Sequence, residues 1–257
     1  ELDQLIDRQN QHYVKNVERV AATADGVFKV EEAKVAVAQA LNSRLDDRSI
    51  PSAVVALIDN GWKELLNLTY LKQGENSEDW HAYLAVIDRL IAYSDDPRIP
   101  LDMKALLPLI QKGLKLVSGP DDTSMVVRGA LKDLIQNAPT GAHVMTTAQL
   151  HEVPETENDI VRRNLHKSQA LKPWILRVKS IELGAWVQLF RKDAEPQYMR
   201  LVWIAKGYSK FVFVNHQGMK VIELGLFKFA SYLKDQRIAF EFDYEVPMVN
   251  QGLDDMV

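Results

Sequence analysis

None of the 257 residues is a cysteine. Disulfides, thiolate metal sites and a cysteine nucleophile are thereby excluded, and the composition suits a reducing compartment, so we expect a cytoplasmic protein. No apolar run approaches the roughly 18 residues of a membrane-spanning helix, and no signal-peptide pattern is visible. Neither sign of charge dominates. A formal net charge of -4 gives no bulk electrostatic reason to bind nucleic acid or an anionic membrane, although a local basic patch stays open. Common reaction motifs are missing as well. His12, His81, His143, His151, His166 and His216 show no HExxH spacing, and there is no GxSxG elbow, no P-loop and no GxGxxG after a strand. The reading is a protein that is not an enzyme and needs no cofactor or metal. The first residue is Glu1, so we expect a fragment of a longer chain.

What is present is a folded composition, 47% hydrophobic and 26% charged, long enough for one large domain or two ordinary ones. Apolar residues at helical spacing fill the first half. Leu2, Leu5, Tyr13, Val17 and Val20 mark one helix, which Asp25-Gly26 punctuates. Val30, Val37, Leu41 and Leu45 mark a second. Ser52 would cap a third, carrying Val54, Ile58, Trp62, Leu65 and Leu68, with Gly74 as a left-handed stop. Asn76 or Ser77 would cap a fourth, Trp80 to Ile91, with Glu78 and Asp79 placed against the helix dipole. Met103 to Val117 makes a fifth, in which Pro108 predicts a kink or a late start. A sixth ends near Asn137. Six segments with short connections predict an antiparallel bundle over 1–137.

From Ala138 to Leu165 the pattern dissolves into Pro, Thr and acid, which reads as a linker over 138–165. From Leu171 the composition shifts toward strand formers. Leu183 to Leu224 reads as four short strands: Met199, Leu201 and Trp203 alternate with Arg200, Val202 and Ile204, and Phe211 and Phe213 with Val212 and Val214. Gly207-Tyr208-Ser209 and Asn215 to Gly218 are turns. Such a meander is expected to close into a small barrel, with one helix carrying Leu226, Phe229, Ala230 and Leu233. The fold class is therefore α+β and multidomain: a helical bundle, a linker, then a small antiparallel β-barrel with one helix over 166–257.

Several stretches carry a resemblance. Ile50-Pro51, Trp62, Gly74, Ser77 and Trp80, with Gly184-Ala185-Trp186-Val187, Leu201-Val202-Trp203 and Phe213-Val214-Asn215 up to Gly218, resemble an uncharacterised proteobacterial family. Its members are often mislabelled thymidine phosphorylase and are similar to PilZ proteins at the C-terminal end. The resemblance implies a PilZ-like barrel and a regulatory role in cyclic di-GMP signalling. PilZ receptors hold that dinucleotide with an RxxxR motif before the barrel and a D/NxSxxG motif on an early strand. The matching positions for the first are Arg162, Arg163 and Lys167, where lysine stands in for the final arginine and offers a point charge in place of a planar fork. Ser180-Ile181-Glu182-Leu183-Gly184 lacks the second. The expectation is a non-enzymatic signalling adaptor acting through an unidentified protein partner, with cyclic di-GMP as ligand. The alternative is a degenerate interaction scaffold that binds no nucleotide.

Other residues read as structural. Trp186, Trp203, Phe211 and Phe213 sit at alternating spacing and belong to a core before they belong to a stacking platform, whereas Tyr208 at a turn is the ring expected to be exposed. Asp46-Asp47, Asp95-Asp96, Asp121-Asp122 and Asp254-Asp255 lie at apparent helix ends or in the tail, where acid caps and solubilises, and none has calcium-loop spacing.

Overall fold

The computed structural model describes residues 2–45, 49–117, 122–147, 165–192 and 194–241. These form two compact units. One comprises Lys29–Pro154, and the other combines Glu1–Phe28 with Glu155–Val257. We call them the helical unit and the β unit.

Helix α1 runs unbroken from Leu2 to Leu45. The expected break at Asp25-Gly26 does not occur. One glycine costs a helix about 1 kcal/mol relative to alanine, and apolar residues recur on both sides of it, so the penalty is outweighed. The helix contributes its first part to the β unit and its remainder to the helical unit.

In the helical unit, Val37, Leu41 and Leu45 of α1 are buried, while Val30 is exposed. Strand β1 (Ser49–Pro51) follows, with Ile50 fully buried. Helix α2 (Ser52–Leu57) has Pro51 at its N-cap, in place of the expected Ser52. Ile58–Trp62 form a π-turn in which Gly61 takes φ 114°, a conformation open to glycine. That turn divides the expected third helix into α2 and α3 (Lys63–Gln73). Gly74 then stops α3 at φ 80°, as its sequence position suggests. Ser77 Oγ accepts from the Trp80 N–H at 3.3 Å and caps α4 (Glu78–Asp95). Helix α5 (Met103–Val117) contains Pro108, and the Asp102 carboxylate accepts from the N–H groups of Lys104 and Ala105 at its start. Helix α6 spans Asp122–Asn137.

The core of this unit centres on Trp62, which is fully buried. Its Nε1 donates to the Tyr83 carbonyl at 3.1 Å, and the two rings meet edge to face at 5.4 Å. Gly113 lets α5 approach that ring. A Cβ there would lie 2.8 Å from Trp62 Cζ3 and 2.5 Å from Leu65 Cδ2. The stretch after α6, expected to be linker, begins as ordered structure. Residues Ala138–Thr140 make a 3-10 turn, and β2 (Met145–Thr147) pairs antiparallel with β1. The remainder of that stretch, 148–164, lies outside the described residues.

The β unit opens with a helix where the sequence suggested strands: α7 spans Leu165–Lys179. Leu171, Trp174, Ile175 and Val178 recur at i, i+3, i+4 and i+7 and pack into the unit's core. Strands β3 (Trp186–Leu189), β4 (Gln197–Ile204), β5 (Lys210–Val214) and β6 (Lys220–Gly225) then form the meander. Helix α8 (Leu226–Lys234) and strand β7 (Ile238–Glu241) complete it. The sheet order is β6-β5-β4-β3-β7, every neighbour antiparallel. The expected closed barrel is not formed: among the described residues β6 and β7 do not pair. The space between them is spanned by α8, whose Phe229 meets Phe211 at 5.2 Å, Phe213 at 5.3 Å and Phe240 at 6.2 Å.

Two glycine substitutions should move stability in opposite directions. Gly26→Ala in α1, where a Cβ meets nothing within 4 Å, is expected to stabilise by up to about 1 kcal/mol. Gly113→Val is expected to destabilise by about 2 kcal/mol or more through overpacking against Trp62. Urea unfolding of both variants checks the signs.

Candidate functional site

The residues singled out for a nucleotide do not come together as a described site. Arg162 and Arg163 lie outside the described residues. The backbone of Lys167 is in the first turn of α7, and its side chain is not among those described. Asp46-Asp47, Asp121 and Asp254-Asp255 also fall outside. Asp95 and Asp96 end α4, where Arg98 forks onto the Asp96 carboxylate at 2.8 and 3.1 Å. That pair holds the Asp96 carboxyl below its usual range. Among the described residues no cluster of three His, Asp or Glu is placed to hold a metal.

One grouping with the outline of reaction chemistry was missed in the sequence. Ser94 Oγ lies 2.7 Å from His143 Nε2, 49 residues away, and Asp133 is near enough to feel the histidine's charge. The parts do not make a relay. Asp133 Oδ1 accepts from Asn137 Nδ2 at 2.6 Å and Oδ2 from the Val144 N–H at 3.1 Å, whereas His143 Nδ1 is buried without a hydrogen-bond partner. Ser94 sits in the last turn of α4 and is nearly buried, where the negative end of the helix dipole opposes an oxyanion. The group instead fastens the chain around His143 and Val144 back onto α4 and α6. A shallow cleft of about 290 Å³ nearby is lined by Ser43, Arg44, Asp88 and Asp95. The Arg44–Asp88 pair crosses it at 2.8 Å.

In the β unit the four strand aromatics singled out in the sequence divide between two faces, with Trp186 paired to Arg200 on the face opposite Phe211 and Phe213. Phe211 and Phe213 are fully buried against Phe229. A bulge in β4 between Leu201 and Trp203 reverses the alternation, so Trp203 pairs with Val212 on the opposite face and meets Phe28 of α1 edge to face at 5.7 Å. Arg200, on that same face, donates from Nε to the Gly184 carbonyl at 3.0 Å and from Nη1 to Tyr13 Oη at 3.4 Å. The turn after β5 is held to α1 as well. Asn16 Nδ2 donates to the Gln217 carbonyl at 2.9 Å, and a Cβ on Gly218 would lie 2.8 Å from the Tyr13 carbonyl oxygen. Tyr208, with φ 62°, stays exposed as expected. Lys220 of β6 at 2.6 Å and Lys210 of β5 at 3.6 Å flank Glu223, whose carboxyl is held low chiefly by the Lys220 hydrogen bond. Charge of this kind protects a sheet edge from pairing with another chain.

These features define a class: a helical unit and a small open antiparallel β unit, with no assembled reaction centre among the described residues. Residues 23–132 match the third domain, and residues 173–240 the C-terminal tudor domain, of a family described as protein of unknown function (DUF1631). No curated protein and no solved structure matches the chain. Neither family match names a PilZ domain or a thymidine phosphorylase. A tudor domain is named where the resemblance implied a PilZ-like barrel.

The Asp133 contacts predict a pH dependence. The Val144 N–H, the Asn137 amide and the His143 charge, in that order, hold its carboxyl below the usual range. Its contribution to stability is therefore present above about pH 4 and lost as pH falls further. Asp133→Asn should be less stable than the parent at pH 7, and the difference should shrink toward pH 2 in thermal unfolding followed by circular dichroism.

Proposed function

We propose that this chain is a non-enzymatic regulatory adaptor that works through protein–protein interaction, with the β unit as a docking module. The observation that carries this reading is the tudor match over 173–240. The inference from it is by fold-level analogy. A second support lies in the helical unit, where Leu116, Met125 and Val126 stand 58%, 67% and 56% exposed on the two sides of the α5–α6 connection. Surfaces that a partner covers expose apolar residues of this kind. Bacterial signalling is the setting that the sequence resemblance suggests.

Cyclic di-GMP responsiveness is the second reading, supported by the RxxxK stretch at Arg163 to Lys167. Calorimetry of the whole chain with cyclic di-GMP separates the two. Heat that disappears in Arg162→Ala/Arg163→Ala/Lys167→Ala establishes a nucleotide-responsive adaptor. No heat at tens of micromolar protein leaves an interaction scaffold.

The adaptor reading itself is tested by affinity capture with quantitative mass spectrometry, comparing the parent chain with Leu116→Glu/Met125→Glu. Both residues are exposed, so the variant should unfold at the same temperature and lose the captured partner. Capture of nothing by the parent overturns the adaptor reading. So does turnover of an activated ester that Ser94→Ala abolishes.

A further inference from the structure

The net charge of -4 conceals a division. Leu165–Glu241 holds 13 Lys and Arg against 6 Asp and Glu, which leaves 18 against 29 for the rest of the chain. The β unit is basic within an acidic protein.

Part of this charge is organised around aromatic rings. On α8 the Tyr232 ring has the Arg237 guanidinium 4.1 Å from its centroid and the Lys228 ammonium 5.9 Å from it. The Arg237 carbonyl accepts from the Phe190 N–H at 2.9 Å, so the backbone of Phe190 lies beside that of Arg237, and Arg191 and Lys192 follow it in the chain. Phe190 is 36% exposed, and all four of these cations are exposed. Across β7, Arg177 lies 5.2 Å from the Phe240 ring. Among the described residues none of these cations is in a salt bridge. The carboxylates beside them in sequence are Asp193, Glu195 and Asp235, and Asp235 is engaged by Ser231 Oγ at 3.1 Å.

We propose that this face binds single-stranded nucleic acid. Phosphates need several unpaired cations in a row. Flat bases need an exposed ring, and Phe190 supplies one among Arg191, Lys192 and Arg237. Stacking on Tyr232 holds the exposed Arg237 guanidinium against the ring. An acidic peptide would use the cations and leave the ring idle, and a duplex would hide its bases from it. This face lies on the β unit, the docking module of the adaptor reading, but nucleic-acid binding there stands without that reading.

The test is fluorescence anisotropy of the whole chain with labelled single strands of mixed sequence, one RNA and one DNA. Four phosphate contacts predict a loss of affinity of about 50-fold between about 50 and 200 mM salt. Arg191→Glu/Arg237→Glu should abolish binding. Phe190→Ala should weaken it roughly tenfold while leaving the salt dependence unchanged. A stronger response to one strand type than the other decides between RNA and DNA, and either supports the proposal. Absence of binding at low salt overturns it. So does equal competition by polyglutamate with no effect of Phe190→Ala, which would mark an acidic protein partner. Equal affinity for duplex overturns it too. Thermal unfolding of each variant confirms that the fold is retained.

Discussion

A strand buried on both faces needs two covers, and β5 is such a strand. Phe211, Val212, Phe213 and Val214 are all fully buried. Phe211 and Phe213 face α8, while Val212 and Val214 face the other way, beside Trp203 and Arg200. The bulge in β4 matters here because it turns Trp203 toward that second face. The first part of α1 then supplies the cover, through Phe28 on Trp203 and Tyr13 on Arg200. Partly burying an arginine against neutral partners is tolerable because its guanidinium still finds a carbonyl and a hydroxyl. In this way a five-stranded sheet of modest size is covered on both faces.

The same arrangement sets which parts of the β unit remain free to meet a partner. One face of the sheet is committed to α8 and the other to α1. The β6 edge is guarded by the Lys210–Glu223–Lys220 group. Surface chemistry is left to the loops and to the outward sides of the helices, where the lysines and arginines gather. Bulk composition could not disclose this, because the acidic remainder of the chain cancels the local excess.

Much of the fold was legible because alternation and helical spacing record burial directly. The four strands from Trp186 to Gly225, the Ser77 cap, the Gly74 stop and the helix of Phe229 follow from local rules. The misreadings share one cause: tertiary contacts decided against local preference. Asp25-Gly26 looks like a stop until the helix is seen to have partners on both sides of it. In α7, the strand-loving Trp174, Ile175 and Val178 obscured an i, i+3, i+4, i+7 pattern. Phe211 and Trp203 have the same kind of spacing and ended on opposite faces, since a bulge leaves no mark in composition. Of the candidate site little was legible. The arm at Arg162 and Arg163 lies outside the described residues, and the Ser94–His143 contact joins positions too far apart for any motif to link.

The two-piece construction of the β unit bears on how the chain is made. The hydrogen bonds from Asn16 to Gln217 and from Arg200 to Tyr13 join residues 201 and 187 positions apart. The helical unit, by contrast, is continuous from Lys29 to Pro154 and needs nothing synthesised later. During synthesis it can therefore form first, while the leading helix, already made, waits for the sheet it will cover. Closing so long a loop costs little more than closing a moderate one, since the entropy grows only logarithmically, but it comes late. Until then the face of α1 that will cover the sheet is without its partner, and in that interval the nascent chain exposes it to wrong ones.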